Sequence, residues 1–319
     1  MNQAPTIPKP KYITVNGELI PYAEATVHVM SPALKYGLNV FEGMRAYWNG
    51  DERQLYVFRL DEHLERLMQS LKLLRFDAHF SSTELAQATL DLLRANELRA
   101  TGHIRLSAYL DGEGEHHVSG PVSYFVAAKA RPRTPKTETG IRCRISTWTR
   151  IADNSMPPRV KCGANYVNAR LARFEAKHDG YDDALMLNNA GRLSEGPGAC
   201  VFLMRRGKLL TPPVTEGILE SITRDTLIEL AQDLGINIEE RSIDRTEVYA
   251  GDELFMAGSA AEVLPIVEVD GISIGNGLVG EVTTQLQNAY FATVSGRENL
   301  NKGWLSAVYD ASAESPVAG

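Results

Sequence analysis

The chain has 319 residues, 44% hydrophobic and 23% charged, an ordinary globular composition that excludes wholesale disorder, a fibrous repeat or a coiled coil. With 33 Lys and Arg against 40 Asp and Glu, the formal charge is -7 without a basic block, which argues against a nucleic-acid partner. No apolar run approaches the roughly 18 residues of a spanning helix, which excludes a membrane protein of that kind. The opening residues do not resemble a secretory signal, and the three cysteines (Cys143, Cys162, Cys200) are far apart. Both features fit a reduced, cytoplasmic setting.

Residues 12–24 alternate around Asn16-Gly17 and predict a short hairpin. Val40–Trp48 and Gln54–Arg59 predict two strands joined at Asn49-Gly50-Asp51. The stripe Leu60, Leu64, Leu67, Leu71 and Leu74 then predicts an amphipathic helix. Ser81 to Glu84 has the capping-box pattern ahead of a second helix carrying Leu85, Leu90 and Leu93. His103–Leu110 and Ser123–Ala130 read as strands. The polar, proline-containing stretch after them predicts a linker over 131–141, between a small N-terminal domain (1–130) and a large C-terminal domain (142–319).

In the second half, a strand is predicted over Arg142–Thr149 and a helix over Tyr166–His178, closed by Gly180. Strands at Ala184–Asn188 and Ala199–Arg205 flank a glycine-rich turn. Helices follow at Ile222–Leu234 and Val279–Phe291, and beyond Gly303 the tail reads as small, polar and frayed. Strands and helices mix without a regular β-α-β rhythm, so the fold class is α+β.

The common motif classes are missing. There is no G-x-G-x-x-G or P-loop glycine cluster, no H-E-x-x-H and no G-x-S-x-G. The adjacent His116 and His117 sit in a polar loop and read as solvated histidines, with no metal site implied. Taken alone, Lys161 is a surface lysine and Glu195 a loop carboxylate. Tyr166 alone is a helix tyrosine, and Arg170 and Arg224 read as surface residues.

Several stretches taken together say more. They are Val27–Gly37, Phe41-Glu42-Gly43-Met44-Arg45, Glu62–Leu67, Lys161 with Tyr166, Ser194-Glu195-Gly196-Pro197-Gly198, Ser221–Asp225 and Ala257–Glu262. In this order they resemble the class IV pyridoxal-phosphate aminotransferases, most of all the branched-chain amino acid aminotransferases, over about Tyr12 to Trp304. The resemblance implies the two-domain fold type IV, the D-amino acid aminotransferase-like fold, and a homodimer or dimer-based hexamer. It also implies pyridoxal 5'-phosphate as cofactor and transfer of the amino group of Leu, Ile or Val to 2-oxoglutarate, as in branched-chain amino acid biosynthesis.

By the same resemblance, Lys161 is the catalytic lysine that carries the cofactor. Glu195 faces the pyridine nitrogen and Tyr166 the ring's phenolic oxygen. The amides of Ile222 and Thr223, the Ser259 hydroxyl and Arg66 hold the phosphate. Tyr36, Phe41, Gly43, Arg45, His103 and Arg105, with the amides of Ser259 and Ala260, line the substrate pocket.

The chain departs from the family pattern at four places. His103-Ile104-Arg105 replaces Tyr-x-Arg, and a histidine there either donates to a carboxylate or is a satisfied structural residue. The basic segment Lys129–Pro135 stands where an aromatic loop is usual. Ala199-Cys200 replaces Glu-Asn, and Ser221 replaces a glycine. The alternatives are a transaminase of the same fold for a D-amino acid, an (R)-amine or a specialised biosynthetic amino acid, and, behind these, a lyase.

Overall fold

The computed structural model describes residues 9–297 and 303–310. The strands are β1 (Tyr12–Val15), β2 (Glu18–Pro21), β3 (Asn39–Asn49), β4 (Gln54–Phe58), β5 (Gly102–Leu110), β6 (Val122–Ala130), β7 (Ile141–Ile145) and β8 (Asp183–Leu185). They continue with β9 (Cys200–Arg205), β10 (Lys208–Thr211), β11 (Ile238–Glu240), β12 (Glu253–Gly258), β13 (Glu262–Val269), β14 (Ile272–Ser273) and β15 (Leu305–Ala307). The helices are α1 (Pro32–Tyr36), α2 (Leu60–Leu73), α3 (Ser82–Ala95), α4 (Lys136–Thr139), α5 (Asn165–His178), α6 (Ile222–Asp233), α7 (Arg245–Tyr249) and α8 (Glu281–Val294).

The chain forms two compact units, Met1–Pro132 with Ala292–Gly319, and Arg133–Phe291. The first holds an antiparallel sheet in the order β15-β4-β3-β5-β6-β1-β2. Helix α2 packs on β3, and α3 packs on α2, β1 and β6. The leucine stripe of α2 works as its spacing requires, with Leu60, Leu64, Leu67 and Leu71 all buried. The capping box of α3 also forms. Ser81 Oγ accepts from the Glu84 amide at 3.2 Å and Glu84 Oε2 accepts from the Ser81 amide at 2.7 Å.

Strand alternation gives this sheet two chemically different faces. On β3, Val40, Glu42, Met44 and Ala46 point to the helices, and their partners on β5 are Ala108, Leu106, Ile104 and Gly102. Phe41, Gly43 and Arg45 therefore lie on the other face, opposite Ser107, Arg105 and His103.

The second unit carries an eight-stranded mixed sheet in the order β11-β10-β9-β12-β13-β7-β8, with β14 paired to β13. The strongest strand pair in its centre, β12 with β13, gave no alternation signal in the sequence. Most of its residues are buried whichever face they take, so the burial lacks a two-residue rhythm. Pro265 also sits inside β13. Its missing N–H is tolerated because pairing with β7 begins only at Ile266.

The C-terminal segment departs from its frayed reading. Leu305–Ala307 pairs with Phe58, Val57 and Tyr56 of β4. Trp304, 7% exposed, packs edge-on against Phe58, with the Arg59 guanidinium 5.0 Å from its ring. The Arg59 amide donates to the Trp304 carbonyl at 2.6 Å, and Arg59 adopts a left-handed φ of 50°. The buried side chains of Trp304 and Val308, with the ladder to β4, order the segment. Replacing the tryptophan, Trp304→Ala, should cost about 3 kcal/mol or more in urea unfolding, whereas Ser306→Ala should be close to neutral.

Candidate active site

In the second unit Lys161 lies two residues before the Gly163-Ala164 turn that leads into α5. Asn165, buried in the first turn of that helix, donates through Nδ2 to the carbonyls of Pro157 (3.3 Å) and Val160 (3.1 Å). These bonds tie the proline-rich loop to the helix and fix the residue between them. The half-buried Lys161 donates from Nζ to Tyr166 Oη at 2.8 Å. Two residues paired only by the sequence pattern are therefore in contact.

Glu195 is 4% exposed and held on three sides. Its Oε1 meets Arg150 Nη2 at 2.6 Å. Its Oε2 accepts from the Leu219 amide at 3.2 Å and lies 3.8 Å from Cys200 Sγ. A buried carboxylate needs such partners, because an unpaired charge out of water is very costly. Leu219 stands two residues before Ser221, so the glutamate loop lies beside the start of α6. There Ser221 Oγ caps the helix by accepting from the Arg224 amide. Ile222 and Thr223 are buried in the first turn, at the positive end of the helix dipole.

The hairpin β12–β13 brings Ser259 and Ala260 to the same strand ends. Ala257 pairs with Cys200, and a Cβ at Gly258 would sit 3.3 Å from the Gly198 carbonyl oxygen, so the two turns lie close together here and a larger residue would push them apart by a few tenths of an ångström. This set comprises an amine with a phenol beside it, a buried carboxylate, a helix N-terminus and a hydroxyl. Its chemistry suits an aldehyde-bearing, phosphorylated pyridine.

The first unit holds the other candidates. Phe41, Gly43, Arg45, His103 and Arg105 share one sheet face. The Arg105 guanidinium carbon lies 3.3 Å from the Phe41 ring centre and its Nε donates to Ser107 Oγ at 2.8 Å. Arg45 Nη1 donates to the Arg131 carbonyl at 2.9 Å, which ties the basic segment to β3. Tyr36 ends α1, and its hydroxyl donates to Glu115, which also pairs with Lys35 at 3.2 Å.

Arg66 lies on the opposite, helix-bearing face. Its Nε and Nη2 donate to the two oxygens of Glu42 at 2.8 and 2.6 Å, and His63 Nδ1 reaches the same carboxylate at 2.7 Å. Burial raises the Glu42 pKa, but Arg66 and His63 overcome it and bring it down to about 2.

Sequence reasoning passed over Arg150, Glu42, His63 and Glu115 as functional partners. Glu42 had one usable signal, a charge at an inward position of an apolar strand; Arg150 had none. Arg224 is a correction. Read as a surface residue, it is 5% exposed, with Nε donating to Thr211 Oγ1 and Nη2 to the Pro212 carbonyl and Glu240. Arg170 does lie at the surface, 4.2 Å from the Phe174 ring. Among the described residues no group of acidic, histidine or cysteine side chains could hold a metal, and no helix is long and apolar enough to cross a membrane.

Residues 39–269 match the family model for amino-transferase class IV. The chain is 40% identical to a probable branched-chain-amino-acid aminotransferase of Aquifex aeolicus, covering 92% of this chain and 96% of that one. It superposes on the branched-chain aminotransferase of Thermoproteus uzoniensis, solved with norvaline, with a TM-score of 0.90 at 41% identity, covering 94% and 100% of the two chains. The branched-chain amino acid aminotransferase of Thermobaculum terrenum, solved in its PLP form, gives 0.89 at 43% identity, with coverage of 95% and 99%. The α+β architecture expected from the sequence is shared with these fold type IV enzymes.

Because the Glu42 pKa is depressed in the folded state, its stabilisation is complete above its ordinary value of 4.5 and fades as pH falls toward 2. Glu42→Gln should therefore lose about 3 kcal/mol or more in urea unfolding at pH 7, since Arg66 is left buried without its charge partner. The gap to the unmodified chain should narrow steadily when the titration is repeated below pH 4.5.

Proposed function

The chain belongs to the class IV aminotransferases, and from that premise we propose that it transfers the amino group of a branched-chain L-amino acid to 2-oxoglutarate, using pyridoxal 5'-phosphate. The observation that carries this reading is the pairing of Lys161 with Tyr166 at 2.8 Å, in the same unit as the buried, Arg150-held Glu195. The cofactor, when bound, supplies an electron sink for the carbanion that forms when the substrate loses its Cα proton.

The residues supply the rest. Lys161 binds the cofactor through its amine and moves the proton at the substrate Cα as general base and acid. Glu195 offers a fixed negative charge to the ring nitrogen, and Tyr166 hydrogen-bonds the ring oxygen. The start of α6 at Ile222 and Thr223, with Ser259, binds the phosphate dianion. The amides of Ser259 and Ala260 receive the substrate carboxylate. Tyr36, Phe41, Gly43, Arg45, His103 and Arg105 are assigned to the substrate side chain on the strength of the motif match, supported by the face that five of them share.

We assign the protein to the cytoplasm, supported by three free, buried cysteines. We also propose that it works as a homodimer or a dimer-based hexamer. The support is a run of exposed apolar side chains in the first unit, Val27, Val29, Met30 and Leu34, with Val29 and Leu34 66% and 63% exposed.

Purified protein given pyridoxal phosphate should show a visible absorption band that L-leucine removes and 2-oxoglutarate restores. Lys161→Ala should bind the cofactor without the protein-linked band and lose roughly 10³-fold or more in turnover. A protein that stays colourless with added cofactor overturns the reading. In a separate test, Val29→Glu should shift the sedimentation mass toward the monomer.

A further inference from the structure

His103 occupies the position where the family carries a tyrosine, and its surroundings fix what the ring can offer. Its Nδ1 lies 3.0 Å from the Met44 carbonyl oxygen across the β3–β5 ladder. A carbonyl oxygen can only accept, so Nδ1 must carry the proton. Burial, together with the positive charges of Arg131, Arg45 and Arg105, pushes the imidazole pKa down to about 4. Lys129, its cross-strand partner on β6, adds a further cation to that surface. The ring is therefore neutral around pH 7, and a neutral imidazole protonated on Nδ1 has only a lone pair on Nε2.

That lone pair belongs to the face that holds Phe41, Gly43, Arg45 and Arg105. The ring lies over Gly43, where a Cβ would come within 3.1 Å of Cε1 and 3.6 Å of Nε2. No hydrogen bond to Nε2 is made among the described residues. Of the two readings open for His103, donation to a substrate carboxylate does not fit this geometry. Its one donor is engaged with the backbone, and a carboxylate oxygen at Nε2 would set lone pair against lone pair. A tyrosine hydroxyl at this position can donate; this histidine can only accept.

We propose that His103 is a specificity-determining residue that extends the substrate range to amino acids with a carboxamide side chain. The amide NH₂ would donate to Nε2, and its carbonyl would face the guanidinium groups of Arg45 and Arg105 on the same surface. The carboxamide is neutral and planar, and it supplies both a donor and an acceptor, matching an acceptor set among cationic donors. This inference rests on the assignment of that sheet face to the substrate side chain.

The test compares kcat/KM for L-asparagine and L-leucine, two side chains of nearly equal size, with 2-oxoglutarate as acceptor. The unmodified enzyme is expected to use both. His103→Phe should lower the asparagine-to-leucine ratio about five- to tenfold, the usual worth of one neutral hydrogen bond. His103→Leu provides the same comparison with a smaller side chain, and the cofactor absorption band checks that each variant is loaded. His103→Tyr, which restores a donor, should instead lower KM for 2-oxoglutarate by a similar factor.

An enzyme that turns over leucine but not asparagine overturns the proposal, as does a ratio unmoved in both His103→Phe and His103→Leu; either result leaves the transaminase reading standing. Absence of leucine turnover overturns both.

Discussion

The N-terminal unit is organised around one carboxylate with no exposed surface, Glu42. Its charge is tolerated at an inward position of β3 only because Arg66 and His63 approach from α2 on the same side of the sheet. That requirement fixes the register of helix on strand. Shifting β3 by one residue would turn Glu42 to the opposite face and bring Gly43 and Arg45 into the core. The same alternation places Phe41, Gly43 and Arg45 together with His103 and Arg105. Buried ion pair and candidate recognition surface are thus two consequences of one strand's pleat.

The second unit follows a similar rule with different means. Glu195 is also buried, but its partners come from loops: Arg150 after β7 and Leu219 before α6. A carboxylate held by a guanidinium on one oxygen and a backbone amide on the other has little freedom to turn. Such restraint suits a group whose task is to present a fixed charge, since a preorganised charge needs no rearrangement when the reaction begins. Asn165 restrains the Lys161 turn in the same manner, with two bonds to backbone carbonyls.

Much of this was legible in the sequence where local physics decides. The leucine stripe of α2 and the capping box of α3 depend on residues three and four positions apart, and both formed as read. Other elements were hidden for identifiable reasons. Most residues of the pair β12–β13 are buried whichever face they take, so it has no two-residue rhythm. The strand β15 has only three residues, too few to show a rhythm, and its ordering comes from β4, some 250 residues earlier in the chain.

By itself the sequence determined the α+β class, the helices with a clear apolar stripe, and the family, because ordered motifs survive as residue identities. It named Lys161, Tyr166 and Glu195 without showing what holds them. Only the tertiary structure decided that Arg150 pairs with Glu195, that Arg66 is bound by Glu42 on the helix-bearing face, and that Arg224 is buried. It also decided that His103 donates a hydrogen bond from Nδ1 to the Met44 carbonyl. These are outcomes of contacts between residues far apart in the chain. A side chain's charge, tautomer and burial depend on its neighbours in space, and no local pattern of residues specifies those.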